Sequence, residues 1–521
     1  MARSSLAFAA EADVFEGARV KFEDLIDELS GKRASAMSAN DLEDLVTGEG
    51  GEVLRELIQA ALKLRALREQ RRDSVVGEDG VERTHVRRGT TRPLMTTVGR
   101  VEVERFAYTA RGADARMPLD AELSLPEHLY SYKVRRRIAE HAAEMSFEKA
   151  RRFSDTMGQP IPQRQAEELA ARAARDFEAF YASQPPTTST SDNLLVLSFD
   201  GKGIVMRKEA LREETRKAAE QRRPRLDKRR SKGEPAHLKR MAEVGAVYDV
   251  APFVRSPYDV VYELHKKGPK PTTPRPRAQN KRLWASIERE KLDVIVEGFQ
   301  EALRRDPEKK RRWVVLVDGN RDQLDIIKRC AKQIGIEITI VFDVIHVLEY
   351  LWKAGLCFHD EGTPELEKWV EERFLNVLDG RAGDVAGGIK RSATKRGLEK
   401  PARKNADACA RYLLNHKQYM RYDAALKDGL PIATGVIEGA CRSVVRDRMD
   451  ITGARWGLKG AEAVLKLRSL KMSGDFDAYW TFHLAEEHRR VHEARYASGM
   501  APNRSDEPAL RLIRGGSSTS S

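Results

Sequence analysis

Cysteine is scarce in this chain of 521 residues: there are four, Cys330, Cys357, Cys409 and Cys441. They are widely spaced and form no CxxC pair, so a zinc ribbon or a disulfide framework is not expected, which fits a reducing cytoplasm. No apolar run reaches the roughly 18 residues a membrane span requires. The apolar stretch Leu6 to Ala10 is too short for a signal peptide and meets Glu11 and Asp13 at once. Internal repeats are absent. Negative charge is in deficit: 93 Lys and Arg face 80 Asp and Glu, a net charge of +13. The pI is near 9.4. Such a balance favours a polyanionic partner over a membrane, the plain alternative being a basic soluble enzyme. The hydrophobic fraction of 41% supports real cores, and the length implies three or four domains.

The chain is organised around LLVLSFDGKGIVM, Leu194 to Met206. A short β-rich apolar run bounded by glycine reads as a buried strand that delivers Asp200 to its end. Upstream, residues 1–76 form an N-terminal helical region with three helices: one carrying Val14, Phe15, Ala18, Phe22, Leu25, Ile26 and Leu29, a second capped near Ser38 to Asp41, and a third from Leu54 to Leu67. Residues 77–126 are a small β-rich segment in which VGRVEVERFAY suggests a strand. Residues 127–185 return to helix. There a short helix, a turn at Gly158 and a second helix from Pro162 are compatible with a helix-turn-helix DNA-binding region, an arrangement that many helical hairpins share. Gln184 to Asp192, QPPTTSTSD, is the best domain boundary.

Residues 193–354 read as the first part of an α/β core. After Asp200 comes a basic segment, 206–240, read as a DNA-facing loop beyond Gln221. Met241 to Phe253 and Tyr258 to His265 read as two strands, 267–282 as a second basic loop, and Leu283 to Arg305 as an amphipathic helix. Trp313 to Val317 is another buried strand, ending in Asp318-Gly319-Asn320. Ile336 to Phe342 follows a helix and ends in Asp343. Three strands in a meander and two helix-connected parallel strands make a mixed sheet, the order of a ribonuclease H-like core. Residues 355–430 read as an α-helical insertion interrupted at 360–364 and 379–388. Residues 431–490 supply the last part of the core, and 499–521 a polar tail expected to be disordered.

Two-metal phosphoryl transfer needs carboxylates at one point, because Mg²⁺ takes oxygen ligands and ions roughly 3.5–4 Å apart act on the attacking and leaving oxygens. Asp200 and Asp318 end apolar strands, and Glu438 would come from a helix crossing that end. An Asp after a strand is also a common turn residue or cap. Glu438 has its own plain role, answering a helix dipole or pairing with Arg442. Asp343, with His346 one turn later, is the alternative second acid. Lys202 is a candidate phosphate contact. Arg442 and Arg446 share a helical side with Glu438, opposite Ile437, Cys441, Val444 and Val445. Arg455 and Trp456, in GARWG, are candidate DNA contacts, Trp456 by stacking on a base or, equally, by packing in the core.

DGKGIVMR, KRMAEVGAVYDVAPF, VVLVDGNRDQL, FDVIHVLEYLWKAG and GLPIATGVIEGACRSVVRDRMDITGARWGLKGAEAVLKLRSL together resemble the DDE transposases of bacterial insertion sequences, of the Kra type, over about residues 90–485. The resemblance implies a ribonuclease H-like catalytic domain using Mg²⁺, for which Mn²⁺ often substitutes. It implies binding of double-stranded DNA at terminal inverted repeats and at a target, cleavage and strand transfer, and a homo-oligomer that bridges two ends in the bacterial cytoplasm. Carried over by motif, the triad falls on Asp200, Asp318 and Glu438, with Asp343 as the competitor for the second position.

Overall fold

The computed structural model describes residues 14–156, 161–186, 192–221, 238–265, 273–451 and 453–500. The turn at Gly158, most of the Pro/Thr/Ser stretch, the basic loop beyond Gln221, the start of the second basic loop and the tail past residue 500 lie outside the described residues. The chain forms two compact units, Met1–Asp176 with Ala478–Ser521, and Phe177–Asp477. The division thus falls ahead of the Pro/Thr/Ser stretch, and residues 478–490 belong to the first unit. No helix among the described residues is long and apolar enough to cross a membrane.

In the first unit, the helix Glu16–Ser30 is followed by one continuous helix of 29 residues, Ala39–Leu67, where two were expected. Its start is a capping box in which Ser38 and Asp41 satisfy each other's backbone N–H groups. Gly48, Gly50 and Gly51 lower helix propensity without removing a hydrogen-bond donor, so they do not break it. Short strands β1 (Val75–Val76) and β2 (Glu82–Arg83) pair, and β3 (His85–Thr96), β4 (Gly99–Ala110) and β5 (Ala113–Arg116) form an antiparallel sheet. Alternation in β4 buries Val101 and Val103 against Leu94 and Leu125. Helices Tyr132–Glu144, Phe147–Thr156 and Gln163–Ala173 complete the expected helical stretch.

The second unit is built on five strands: β6 (Leu194–Val205), β7 (Lys239–Val250), β8 (Gln279–Ser286), β9 (Trp313–Val317) and β10 (Ile338–Phe342), in spatial order β10-β9-β6-β7-β8. β6, β7 and β8 pair antiparallel, whereas β9 pairs parallel with both β6 and β10. The expected mixed α/β sheet is present. Three of its details differ from expectation. β6 does not end at Asp200 but runs twelve residues, because Gly201 to Val205 stay paired with β7. Tyr258 to His265 is not a strand: Pro257–His265 is a helix, started by Ser256 and Asp259, which exchange backbone hydrogen bonds across its first turn. That local cap outweighs the β-preference of Val260 and Val261. The third strand is instead β8, on residues assigned to the basic loop and the following helix, which begins only at Lys291.

β8 is an edge strand, and its outward backbone is covered. Ser473 accepts from the Leu283 N–H at 2.9 Å, Ser469 from Ala285 at 3.2 Å and Glu462 from Ile287 at 2.8 Å. All three come from the helix Leu458–Ser473, so side chains take the place of a sixth strand. On a sheet face, Gly298 of the helix Lys291–Arg305 lets the Phe199 ring approach so closely that a Cβ would lie 2.6 Å from it. The expected insertion is helical, with Pro364–Leu378, Ala382–Lys395, Lys404–His416 and Tyr422–Lys427. Its second break is shorter than expected, since the helix at Ala382 begins inside 379–388.

A titratable defect sits in the first unit. Glu69 accepts the Phe106 N–H through Oε2 at 2.8 Å, while its buried Oε1 has no partner. Burial first, then the carboxylates of Glu122 and Asp120, push its carboxyl up from 4.5 to about 7. A raised acid favours the protonated folded state, so this unit loses stability as pH rises from about 4.5 through about 7. Glu69→Gln removes that loss. Thermal melts should show the variant more stable than wild type at pH 8, by about 1–2 kcal/mol after screening at this half-exposed group is allowed for, and the advantage should vanish near pH 4.

Candidate functional site

Parallel register brings three acids level at one edge of the second unit's sheet. Ser198 of β6 lies opposite Leu316 of β9, and Phe342 of β10 opposite Val317. Counted onward in this register, Asp200 matches Asp318 and Asp318 matches Asp343, on neighbouring strands that lie roughly 4.8 Å apart where they pair. Asp200 sits within β6 but past the last residue of β6 that pairs with β9. Asp318 leaves β9 into Gly319, whose φ of +103° favours glycine and whose position beside the Phe342 ring leaves 2.7 Å for any Cβ.

Glu438 arrives from the helix Gly435–Ala440, which continues through a π-helical turn, Cys441–Arg446. Such widened turns recur at functional sites because they re-aim side chains. Ile437, Cys441, Val444 and Val445 are buried, while Glu438, Arg442 and Arg446 are exposed. Arg442 lies 3.7 Å from Asp447. The Cys441 thiol, one helical turn after Glu438, donates to Asp200 Oδ2 at 3.2 Å. Burial and the Asp200 charge raise that thiol well above its ordinary value, so it remains a donor.

Asp343 and Asp318 behave differently. Asp343 is buried and caps the helix Val344–Gly355, accepting from the N–H groups of Ile345 and His346, both at 3.3 Å. It also accepts the Thr434 N–H at 3.1 Å. Thr434 in turn donates its hydroxyl to Glu438 Oε1 at 3.2 Å. Burial raises the Asp343 carboxyl above its usual range, against the opposing pull of those backbone donors. Asp318 is exposed, and the one hydrogen bond its carboxylate makes among the described residues is to the nearby Asn320 N–H at 3.1 Å. Its backbone carbonyl accepts from the Tyr412 hydroxyl at 3.1 Å. Glu438 is exposed by area, yet protein crowds its carboxyl: partial burial raises it first, then the charge of Asp343, and Asp200 adds less. Glu438 therefore feels Asp343 most strongly, but the hydrogen-bonding capacity of Asp343 is already committed to the backbone. Asp318 has the oxygens free for a ligand.

The remaining sequence candidates divide. Lys202 is half-buried within β6, not on a turn. Arg455 is exposed. Trp456 is buried: its indole donates to the Met449 carbonyl at 3.0 Å, its backbone bridges Met206, and the Arg448 guanidinium lies 4.7 Å from its ring. It is a core residue and cannot stack on a base. His346 donates its backbone N–H to Asp343, and its ring meets Tyr350 and Tyr412 edge-on, a packing role. Thr434, Cys441 as a polar donor and Tyr412 were missed. Only Cys441 left a signal, its spacing of one turn from Glu438.

One group in the first unit could hold a metal ion. Asp176, His483 and Glu487 are buried, with ligand atoms within 4.8 Å of one another. His483 Nδ1 is 2.7 Å from Asp176, and Arg490 already bridges the carboxylates of Asp176 and Glu487. Arg135 lies 3.5 Å from Glu487. Two guanidinium groups thus supply the positive charge that an ion would bring. Among the described residues no three of the sheet-edge acids reach that spacing. Comparison of the chain with protein-family models finds no match, and comparison with curated proteins finds none.

If Asp343 is a scaffold carboxylate, Asp343→Ala should destabilise the second unit by about 2–4 kcal/mol, the sum of a lost cap and a buried N–H left without an acceptor. Asp343→Asn, whose amide oxygen still accepts, should lose less than half as much. Urea melts of the two variants compare them directly, and equal losses would argue against the capping role.

Proposed function

We propose that the chain is a DDE-type transposase whose second unit is a ribonuclease H-like domain that cuts and joins DNA. The observation that carries this reading is that Asp200 and Asp318 fall at matching positions where the parallel strands β6 and β9 of a β10-β9-β6-β7-β8 sheet end, with the helical segment that bears Glu438 tied to Asp200 through Cys441. Support also comes from the net charge of +13, suited to a polyphosphate partner. The quoted motifs resemble the Kra-type insertion-sequence enzymes.

The donor set fits a hard divalent cation. It is all carboxylate, and Glu438 is raised by partial burial first and then by the charges of Asp343 and Asp200, a repulsion that a cation would relieve. Asp200, Asp318 and Glu438 would hold Mg²⁺, with Mn²⁺ as a substitute; bound there, it would supply activation of the attacking oxygen and neutralisation of charge on the leaving one. The protein's own part is positioning. Cys441 fixes Asp200, Thr434 fixes Glu438, Tyr412 fixes the Asp318 turn, and Asp343 fixes Thr434. Arg442 and Arg446, on the exposed side with Glu438, face the phosphates of the strand being cut. Element ends are recognised by the helical stretch of residues 127–185, and a homo-oligomer bridges the two ends.

The test is cleavage and joining of end DNA with Mg²⁺ or Mn²⁺. Asp200→Asn, Asp318→Asn and Glu438→Gln should each lose activity by a factor of roughly 10³ or more, as expected when a metal ligand is removed. Asp343→Asn should keep measurable activity. Loss in the Asp343→Asn variant with full activity in Asp318→Asn moves the second acid to β10. Binding of end DNA by wild type without cleavage under either metal points instead to a DNA-binding protein, and cleavage without joining to a nuclease.

A further inference from the structure

Beneath the segment that carries Thr434 lies a cavity of about 270 Å³, just below the roughly 300–1,000 Å³ typical of ligand pockets. Tyr248, Phe253 and Val436 give it apolar and aromatic walls, and Arg255 and Arg275 give it two guanidinium groups. None of the residues lining it is acidic. Arg275 reaches Glu263 at 3.7 Å across an exposed gap. Arg255 has no carboxylate partner among the described residues: Nη1 makes only a long contact of 3.5 Å to the Phe253 carbonyl, and its buried Nε has no partner. Its guanidinium lies 5.4 Å from the Phe253 ring centroid.

A half-buried cation with no carboxylate in hydrogen-bond reach costs stability, and here burial and then the Arg275 charge push Arg255 down to about 10, with the more distant charges of Glu263 and Asp259 opposing. An anion in the cavity would offset both. The cavity also adjoins the acids. Ala433 and Gly435 line it, while Thr434 between them turns to Asp343 and Glu438. One residue of backbone separates the two.

We propose that this cavity binds a single nucleotide unit of the DNA strand lying beside the acid site, with its phosphate on Arg255 and Arg275 and its base against Phe253 and Tyr248. This rests on the reading of the second unit as a DNA-processing domain. Flat aromatic walls suit a base of any identity, and a guanidinium fork suits a phosphate. A pocket of this size takes one nucleotide and not a duplex, so the unit it holds is unpaired. An unpaired nucleotide beside the acids would fix the strand's register for cleavage.

Equilibrium dialysis of the full chain in EDTA tests the site without calling on any cleavage, so it stands or falls separately from the transposase reading. Deoxyadenosine 5′-monophosphate should bind, and both deoxyadenosine and inorganic phosphate should bind at least tenfold more weakly. A 5′-phosphorylated dinucleotide should bind at least as well as the mononucleotide. Arg255→Gln should weaken mononucleotide binding about tenfold or more, the scale of a lost charge-assisted hydrogen bond. Arg275→Gln, at an exposed position that leaves the fold intact, should weaken it severalfold. The proposal is overturned if the mononucleotide does not bind, if inorganic phosphate binds equally well, or if neither variant changes the affinity while circular dichroism shows both folded. Binding of the mononucleotide with exclusion of the dinucleotide overturns the assignment to a DNA strand.

Discussion

The second unit's site depends on one buried carboxylate accepting three backbone N–H groups. Asp343 caps the helix after β10 and at the same time ties down Thr434, on a segment 91 residues further along the chain. That link joins the sheet to the helix bearing Glu438, and Thr434 passes it on to the Glu438 carboxyl. The cost of burying Asp343 shows in its raised carboxyl. Three amide dipoles hold it in place against that cost, since a carboxylate accepting several backbone N–H groups is stabilised in its charged form. A residue so committed is better suited to hold a geometry than to exchange a ligand. That is why Asp318, exposed and almost without partners, is the better second acid on the reading proposed for this unit.

Much of the second unit was legible in the sequence. Leu194 to Phe199, Trp313 to Val317 and Ile338 to Phe342 are largely apolar runs, each followed by an acid, and a strand covered on both sheet faces requires such composition. β8 was hidden for a different reason. Its start, Gln279 to Lys281, is polar and exposed, Arg282 is buried in ion pairs with Glu297 and Glu301, and its outward bonds go to Ser469, Ser473 and Glu462, more than 170 residues away. No local pattern announces partners at that separation. Pro257–His265 misled in the opposite direction, since two β-branched valines hid a cap formed by Ser256 and Asp259.

The acids were legible as residues but not as roles. Spacing could place Asp318 and Asp343 each at a strand end. It could not say which one would be buried under backbone donors, because Thr434 belongs to a distant segment. Trp456 shows the same limit. GARWG left Trp456 open to base stacking or core packing, and tertiary pairing of the Trp456 backbone with Val205 and Arg207 draws the indole inward.

The helical insertion is more than a decoration between the second strand-end acid and Glu438. Its helix Lys404–His416 sets Tyr412 against Tyr350, with ring centroids 4.2 Å apart and nearly parallel planes, and adds His416 beside Phe342. Burial, and then the charges of Tyr350, Asp318 and Asp343, hold the Tyr412 phenol well above its ordinary range, so it stays a donor. It gives that hydrogen to the Asp318 carbonyl. Asp318 sits on a turn with little other support, since Gly319 takes a left-handed conformation and the carboxylate faces solvent. An aromatic stack is rigid, with few rotamers to lose, and so fixes that carbonyl at small entropic cost. The insertion thus supplies from outside the sheet the constraint that Asp343 supplies from within it, and the Asp318 carboxylate is left exposed on a backbone that is held.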